Sequence, residues 1–87
     1  MVLKIKLDTI EKCEKLVQIC KKYQDVTIVD IYYGHYVVDG CSFLGVMSLL
    51  LHEVEINVVE SKRVTDDIHP IKEMMTEELK NIGAWRE

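Results

Sequence analysis

Val26–Gly40 reads VTIVDIYYGHYVVDG. Its first eight residues, Val26 to Tyr33, are rich in β-branched and aromatic side chains, the composition of a pleated strand. Gly34 separates this run from His35-Tyr36-Val37-Val38, so the two runs read as a hairpin with a tight turn, ended by Asp39-Gly40.

On the N-terminal side, residues 2–7 alternate: Leu3, Ile5 and Leu7 point one way, Lys4 and Lys6 the other, as in a half-buried strand. Asp8 and Glu11 have the spacing of a capping box. Ile10, Cys13, Leu16, Val17, Cys20 and Tyr23 then recur at three- and four-residue spacing, which predicts an amphipathic helix to about Tyr23. On the C-terminal side, Phe43, Val46, Met47 and Leu50 mark a short helix starting near Cys41 or Ser42. Gly45 inside it costs about 1 kcal/mol against alanine, which points to a close packing contact. Val54, Ile56 and Val58 alternate with Glu55 and Asn57 as a fourth strand. Ser61 to Thr65 read as a loop, and Ile68, Ile71, Met75, Leu79 and Ile82 as a last helix, with Asp67 as its N-cap and Pro70 in its first turn. Residues 83–87, which include Trp85, are expected to fray.

The order is β-α-β-β-α-β-α. Four strands with three helices on one face make an α+β open-faced sandwich, with a right-handed crossover through the first helix. The ferredoxin-like fold shares the first six elements, so order alone does not separate the two.

The chain has 87 residues, enough for one domain, and its 48% hydrophobic content suffices for one core. A formal net charge of -4 and scattered basic residues argue against nucleic-acid binding. Cys13, Cys20 and Cys41 are an odd count without paired spacing, which is no disulfide framework. No leader-like segment and no apolar run near the roughly 18 residues of a membrane span occur, so a cytoplasmic location is expected. Cys13 and Cys20 fall on the buried face of the first helix and read as core, not as metal or redox groups. Cys41, near a helix start, is a candidate for a lowered thiol pKa. Asp66, Asp67, Glu73, Glu77 and Glu78 read as a solvated face. No acid is tied to a nucleophile or a metal ligand, and neither an enzymatic activity nor a cofactor is expected.

Cys41-Ser42-Phe43-Leu44-Gly45-Val46-Met47-Ser48-Leu49 resembles the second signature of the bacterial phosphotransferase-system phosphocarrier family, HPr. In that family a serine opens a short helix, followed by apolar-apolar-Gly-Val-Met-Ser-Leu. Tyr36 to Asp39, Leu16-Val17-Gln18 and Lys22-Tyr23 fit as well, and the likeness spans residues 2–82. It implies the HPr-like form of the open-faced sandwich. The first signature, Gly-x-His-Ala-Arg-Pro, is absent. In register, Thr9 occupies the phosphohistidine position, Glu11 the arginine position and Lys12 the proline position. A threonine phosphoester is too stable to hand on, and Glu11 repels an incoming anion. His35, His52 and His69 do not fall at the site in sequence.

The likeness therefore points to a non-catalytic regulatory module resembling the Crh-like paralogues, which lack the histidine. It implies Ser42 as the serine a dedicated kinase phosphorylates, although a helix-start serine is also an ordinary N-cap. It implies Phe43, Leu44 and Met47 as the docking surface for a protein partner, either an HPr-kinase-like enzyme or a transcription regulator. Phe43 and Met47 also suit an ordinary core, whereas Leu44 lies off the apolar face. The alternative is a structural module that oligomerises through its sheet face or an edge strand, with Tyr32, Tyr33 and Tyr36 near the contact.

Overall fold

Strand alternation organises the molecule. The computed structural model describes residues 2–60 and 69–86. Its elements are β1 (Val2–Lys6), α1 (Ile10–Lys22), β2 (Thr27–Tyr33), β3 (Tyr36–Asp39), α2 (Phe43–Met47), β4 (Glu53–Glu60) and α3 (His69–Asn81). The strands form one antiparallel sheet in the order β1-β4-β2-β3. β1 and β2 are therefore parallel to each other with β4 inserted between them, and α1 is their crossover. The same relation holds for β3 and β4, with β2 between and α2 as crossover.

The register sets the main apolar row of the strands on one face. Leu3 opposes Ile56, Ile56 opposes Ile31, and Val58 opposes Val29. All of these are buried, together with Ile5 and Val54. Cys13, Leu16, Val17, Ile19 and Cys20 of α1, Val46 of α2, and Met75 and Leu79 of α3 close over them. The opposite face stays open, with Ile28 and Val59 as an exposed cross-strand pair.

Helix α1 starts one residue later than the Asp8–Glu11 spacing suggests. Thr9 is the N-cap, with extended backbone (φ -139, ψ 155) and its hydroxyl accepting from the Lys12 amide. Asp8 and Glu11 are then free to pair with Lys12 at 3.2 Å and Lys15 at 2.9 Å. Ile10 becomes the first helical residue and is exposed, and Ile19 takes the core place expected of it.

The hairpin closes with Tyr33 opposite Tyr36 across a two-residue turn, Gly34-His35. Gly34 has φ +59, the left-handed value a type II′ turn needs at its first central position. His35 thus belongs to the turn, not to β3. Helix α2 stops at Met47, well short of Leu50, because the following backbone is needed elsewhere. Leu51 takes a left-handed φ of 76, donates to the Leu7 carbonyl at 2.6 Å, and is followed by His52, whose carbonyl accepts from the Leu7 amide. The close contact inferred at Gly45 is with Val38 and the cap itself: a Cβ there would lie 3.2 Å from Val38 Cβ and from Ser42 Oγ.

The expected fraying after α3 is not what is found for 83–86. Gly83 (φ +107) ends the helix in a Schellman motif: Ala84 N–H donates to Leu79 O and Gly83 N–H to Lys80 O, both at 3.0 Å. Ala84 is buried, and Trp85 exchanges two backbone hydrogen bonds with Lys4, at 2.7 and 2.8 Å. The polypeptide thereby covers the outer edge of β1. Pro70 lies in the first turn of α3 as expected. The Asp67 cap, Ile68 and the 61–65 loop lie outside the described residues.

Gly40 is the tightest of the four glycines. A Cβ there would meet Val29 Cγ1 at 2.9 Å and Cys20 Sγ at 3.0 Å, and neither neighbour has room to withdraw into the packed core. Gly40→Ala is expected to lower stability by about 1–3 kcal/mol in urea unfolding, with the slope unchanged.

Candidate functional site

The α2 segment is built by its cap. Asp39 Oδ1 accepts from the Cys41 amide at 2.9 Å, and the Asp39 carbonyl accepts from the Ser42 amide at 3.0 Å. This turn sets Ser42 in extended backbone (φ -94, ψ 109), with its hydroxyl accepting from the Gly45 amide at 3.2 Å. Ser42 faces solvent. Inward, Val46 and the following Leu49 are buried; sequence spacing missed Leu49 because α2 tightens into turns after Met47. Outward, Leu44 is 82% exposed, Phe43 37% and Leu51 65%, while Met47 is half-buried against the core. Of the three residues expected at an apolar surface, Leu44 fits fully, Phe43 partly, and Met47 belongs mainly to the packing.

At the other candidate position, Thr9 borders a shallow depression of about 240 Å³ with Glu11, Lys12, Lys15, Asn81 and Ile82. Its hydroxyl already serves the Lys12 amide at 3.1 Å. The two cations beside it are bound: Lys12 to Asp8 and to the Lys6 carbonyl at 3.3 Å, Lys15 to Glu11. An incoming anion would meet the Asp8 and Glu11 carboxylates already held by both.

Cys13 and Cys20 are core residues as expected, and all three cysteines are free thiols. Burial, reinforced by Cys41 and Asp39, pushes the Cys20 thiol up to about 12. The lowered thiol pKa expected at Cys41 is reversed. Partial burial and the Asp39 carboxylate raise it, and Lys21 offsets only part of this. Among the described residues no cluster of His, Cys, Asp and Glu could hold a metal ion, and no helix is long and apolar enough to cross a membrane. His52 stacks on Tyr33 with ring centroids 4.3 Å apart, which engages its ring as packing.

One polar knot escaped the reading of the acids as a solvated face. Glu78 of α3 binds Lys22 Nζ at 2.8 Å through one oxygen and accepts from the Tyr23 hydroxyl through the other. Hydrogen bonds from Lys22 and then Tyr23 hold the Glu78 carboxyl below its usual range. Burial, followed by the bond to Glu78, raises the Tyr23 phenol. The knot ties the end of α1 to α3. Glu73 and Glu77 are exposed, and Asp66 and Asp67 lie outside the described residues.

No family model, no curated protein and no solved structure matches this chain.

The pH dependence of the knot follows from its shifts. Glu78 is more acidic folded than unfolded, so its contribution is present above the ordinary value of 4.5 and is lost as pH falls below it. Tyr23 is less acidic folded, so its contribution is present below pH 10.0 and is lost as pH rises above it. Glu78→Gln should flatten the acid limb of a melting-temperature profile. Tyr23→Phe should remove the tyrosine part of the alkaline limb and cost about 1 kcal/mol at neutral pH.

Proposed function

We propose that this chain is a non-catalytic, HPr-like protein-binding module that docks through the α2 segment, with Ser42 as its control point. The observation that carries the reading is the combination on one short segment of a solvent-facing cap serine with the exposed side chains of Leu44 and Phe43. Exposed apolar side chains grouped in this way mark an interface. A phosphate on Ser42 would bring close to two negative charges onto the edge of that apolar surface, beside Asp39. α2 carries no basic residue to neutralise them. Phosphorylation would therefore switch the surface from apolar docking to recognition by a basic partner.

The open sheet with three helices and the order β1-β4-β2-β3 are compatible with the HPr-like form of the fold. The engaged Thr9 hydroxyl and the paired Lys12 and Lys15 support loss of the phosphocarrier step, because neither a nitrogen nucleophile nor an unpaired cation stands at that helix start. The partner class this reading carries is a larger cytoplasmic bacterial protein, an HPr-kinase-like enzyme or a transcription regulator.

Intact mass after two parallel incubations tests the reading, one with ATP and HPr kinase, the other with phosphoenolpyruvate and enzyme I. One phosphate in the kinase reaction, lost in Ser42→Ala, supports it. An acid-labile phosphate from enzyme I overturns the loss of carrier function, and no phosphate from either removes Ser42 as the control point. Ser42→Ala alone should cost about 1 kcal/mol of stability through the lost cap, so its folding is checked separately by thermal unfolding. Leu44→Glu should leave the melting temperature within about 2 °C, because the side chain is solvent-facing, while weakening capture of a partner by tenfold or more.

A further inference from the structure

Two side chains, Cys20 of α1 and Val29 of β2, converge on Gly40. A Cβ there would lie 3.0 Å from Cys20 Sγ and 2.9 Å from Val29 Cγ1, so the last turn of α1 packs on bare backbone at this point. Cys41 follows, one Cα step of about 3.8 Å further on. It is half-buried against the core. It lines a depression of about 210 Å³ together with Gln24, one turn beyond Cys20, and the same Val29. The charge of Lys21, beside Cys20 in the chain, reaches the Cys41 thiol, and Cys41 in turn raises the Cys20 thiol. Together these neighbours place Cys41 beside the last turn of α1, at Cys20. A disulfide needs Cα atoms within about 7 Å, and a helix that meets a turn over a glycine, with no Cβ between them, is how two backbones come so near.

We propose that Cys20 and Cys41 are a redox pair that closes to a disulfide between α1 and the turn that opens α2. Cys41 is the entry thiol, because it lines the depression, and the fully buried Cys20 completes the bond. The Cys41 thiolate attacks one sulfur of a small aliphatic disulfide such as oxidised glutathione, which forms a mixed disulfide and releases a first glutathione thiolate. The Cys20 thiolate then attacks Cys41 Sγ, the protein disulfide forms, and the second glutathione thiolate leaves. The two thiol protons of the protein pass to the two released thiolates. The protein loses two electrons and the glutathione disulfide gains them. Both protein thiols lie above the ordinary thiol value, Cys20 at about 12, so the exchange is slow at neutral pH and answers sustained oxidation, not a brief pulse. Cys13 lies two turns before Cys20, about 10 Å along the helix, and takes no part. The Cys41 amide donates to Asp39 Oδ1 and the Ser42 amide to the Asp39 carbonyl, so a bond at Cys41 pins the turn that presents Ser42. The bond itself is independent of the docking function proposed above.

Incubation of the full chain with excess oxidised glutathione at about pH 8, followed by denaturation, alkylation, intact mass and peptide mapping, tests this. The expected product is about 2 Da lighter than the reduced chain before alkylation, keeps one alkylated thiol, at Cys13, and yields a peptide that joins Cys20 to Cys41. Dithiothreitol should reverse it. Cys20→Ala should instead accumulate the glutathione adduct on Cys41, and Cys41→Ser should form no protein disulfide at the same oxidant concentration. Because the bond fits the native backbone, the oxidised chain should melt about 5 °C above the reduced one. Three alkylated thiols at every oxidant ratio overturn the proposal. A bond to Cys13 overturns it too, as does an adduct on Cys41 of the parent chain that Cys20 does not displace. An oxidised chain that melts below the reduced one overturns the pairing as a feature of the native fold.

Discussion

β4 hydrogen-bonds on both sides, to β1 and to β2, and the rest of the molecule depends on that double pairing. Among the described residues it is the last strand in sequence, yet it stands inside the sheet. Until it inserts, β1 has no neighbouring strand and the β2–β3 hairpin has only itself. Isolated hairpins are marginal in water, so the order of assembly is constrained. Contacts between β1 and β4 span about half the sequence, and pairing at that separation must recover the loop-closure entropy before it stabilises anything. The buried row Leu3, Ile56 and Ile31, which crosses three strands, repays it in one step.

Much of this was legible because the strands obey a period of two and bury one face. Leu3, Ile5, Val54, Ile56 and Val58 are fixed by alternation alone, and three- and four-residue spacing together with the β-branched hairpin run place the other elements. Fine boundaries were less legible, because a cap is chosen by local geometry that two adjacent polar residues both satisfy. Asp8 and Thr9 compete for the start of α1, and Thr9 wins by adopting extended backbone with its hydroxyl at the Lys12 amide. Ile10, the first residue of the helix, is exposed although its spacing is that of a core residue. Contacts distant in sequence left no signal. Glu78 meets Tyr23 across 55 positions, and Trp85 meets Lys4 across most of the chain. Nothing in the composition around either marks the pairing.

The candidate site divides in the same way. Ser42 as a helix-opening serine and Leu44 as the residue off the apolar face follow from spacing, and both are found so. The early end of α2 was not readable, since it arises where Leu7, just past β1, takes the Leu51 amide and the His52 carbonyl. That pairing turns Leu51 outward with a left-handed backbone, which costs an L-residue roughly 1–2 kcal/mol. The exposure of Leu51, next to Leu44 and Phe43, is thus a by-product of closing the sheet.

The pairing of Trp85 with Lys4 also has a mechanical side. The tail runs antiparallel to β1, so Val2 and Arg86 leave the pair at the same end. A force applied through the two ends of the chain opens this contact like a zipper, one hydrogen bond at a time, instead of shearing both together. β1 then peels from β4 in the same sequential way, because that pairing is antiparallel as well. The fold is therefore mechanically soft along its own termini, whatever its resistance to heat or denaturant.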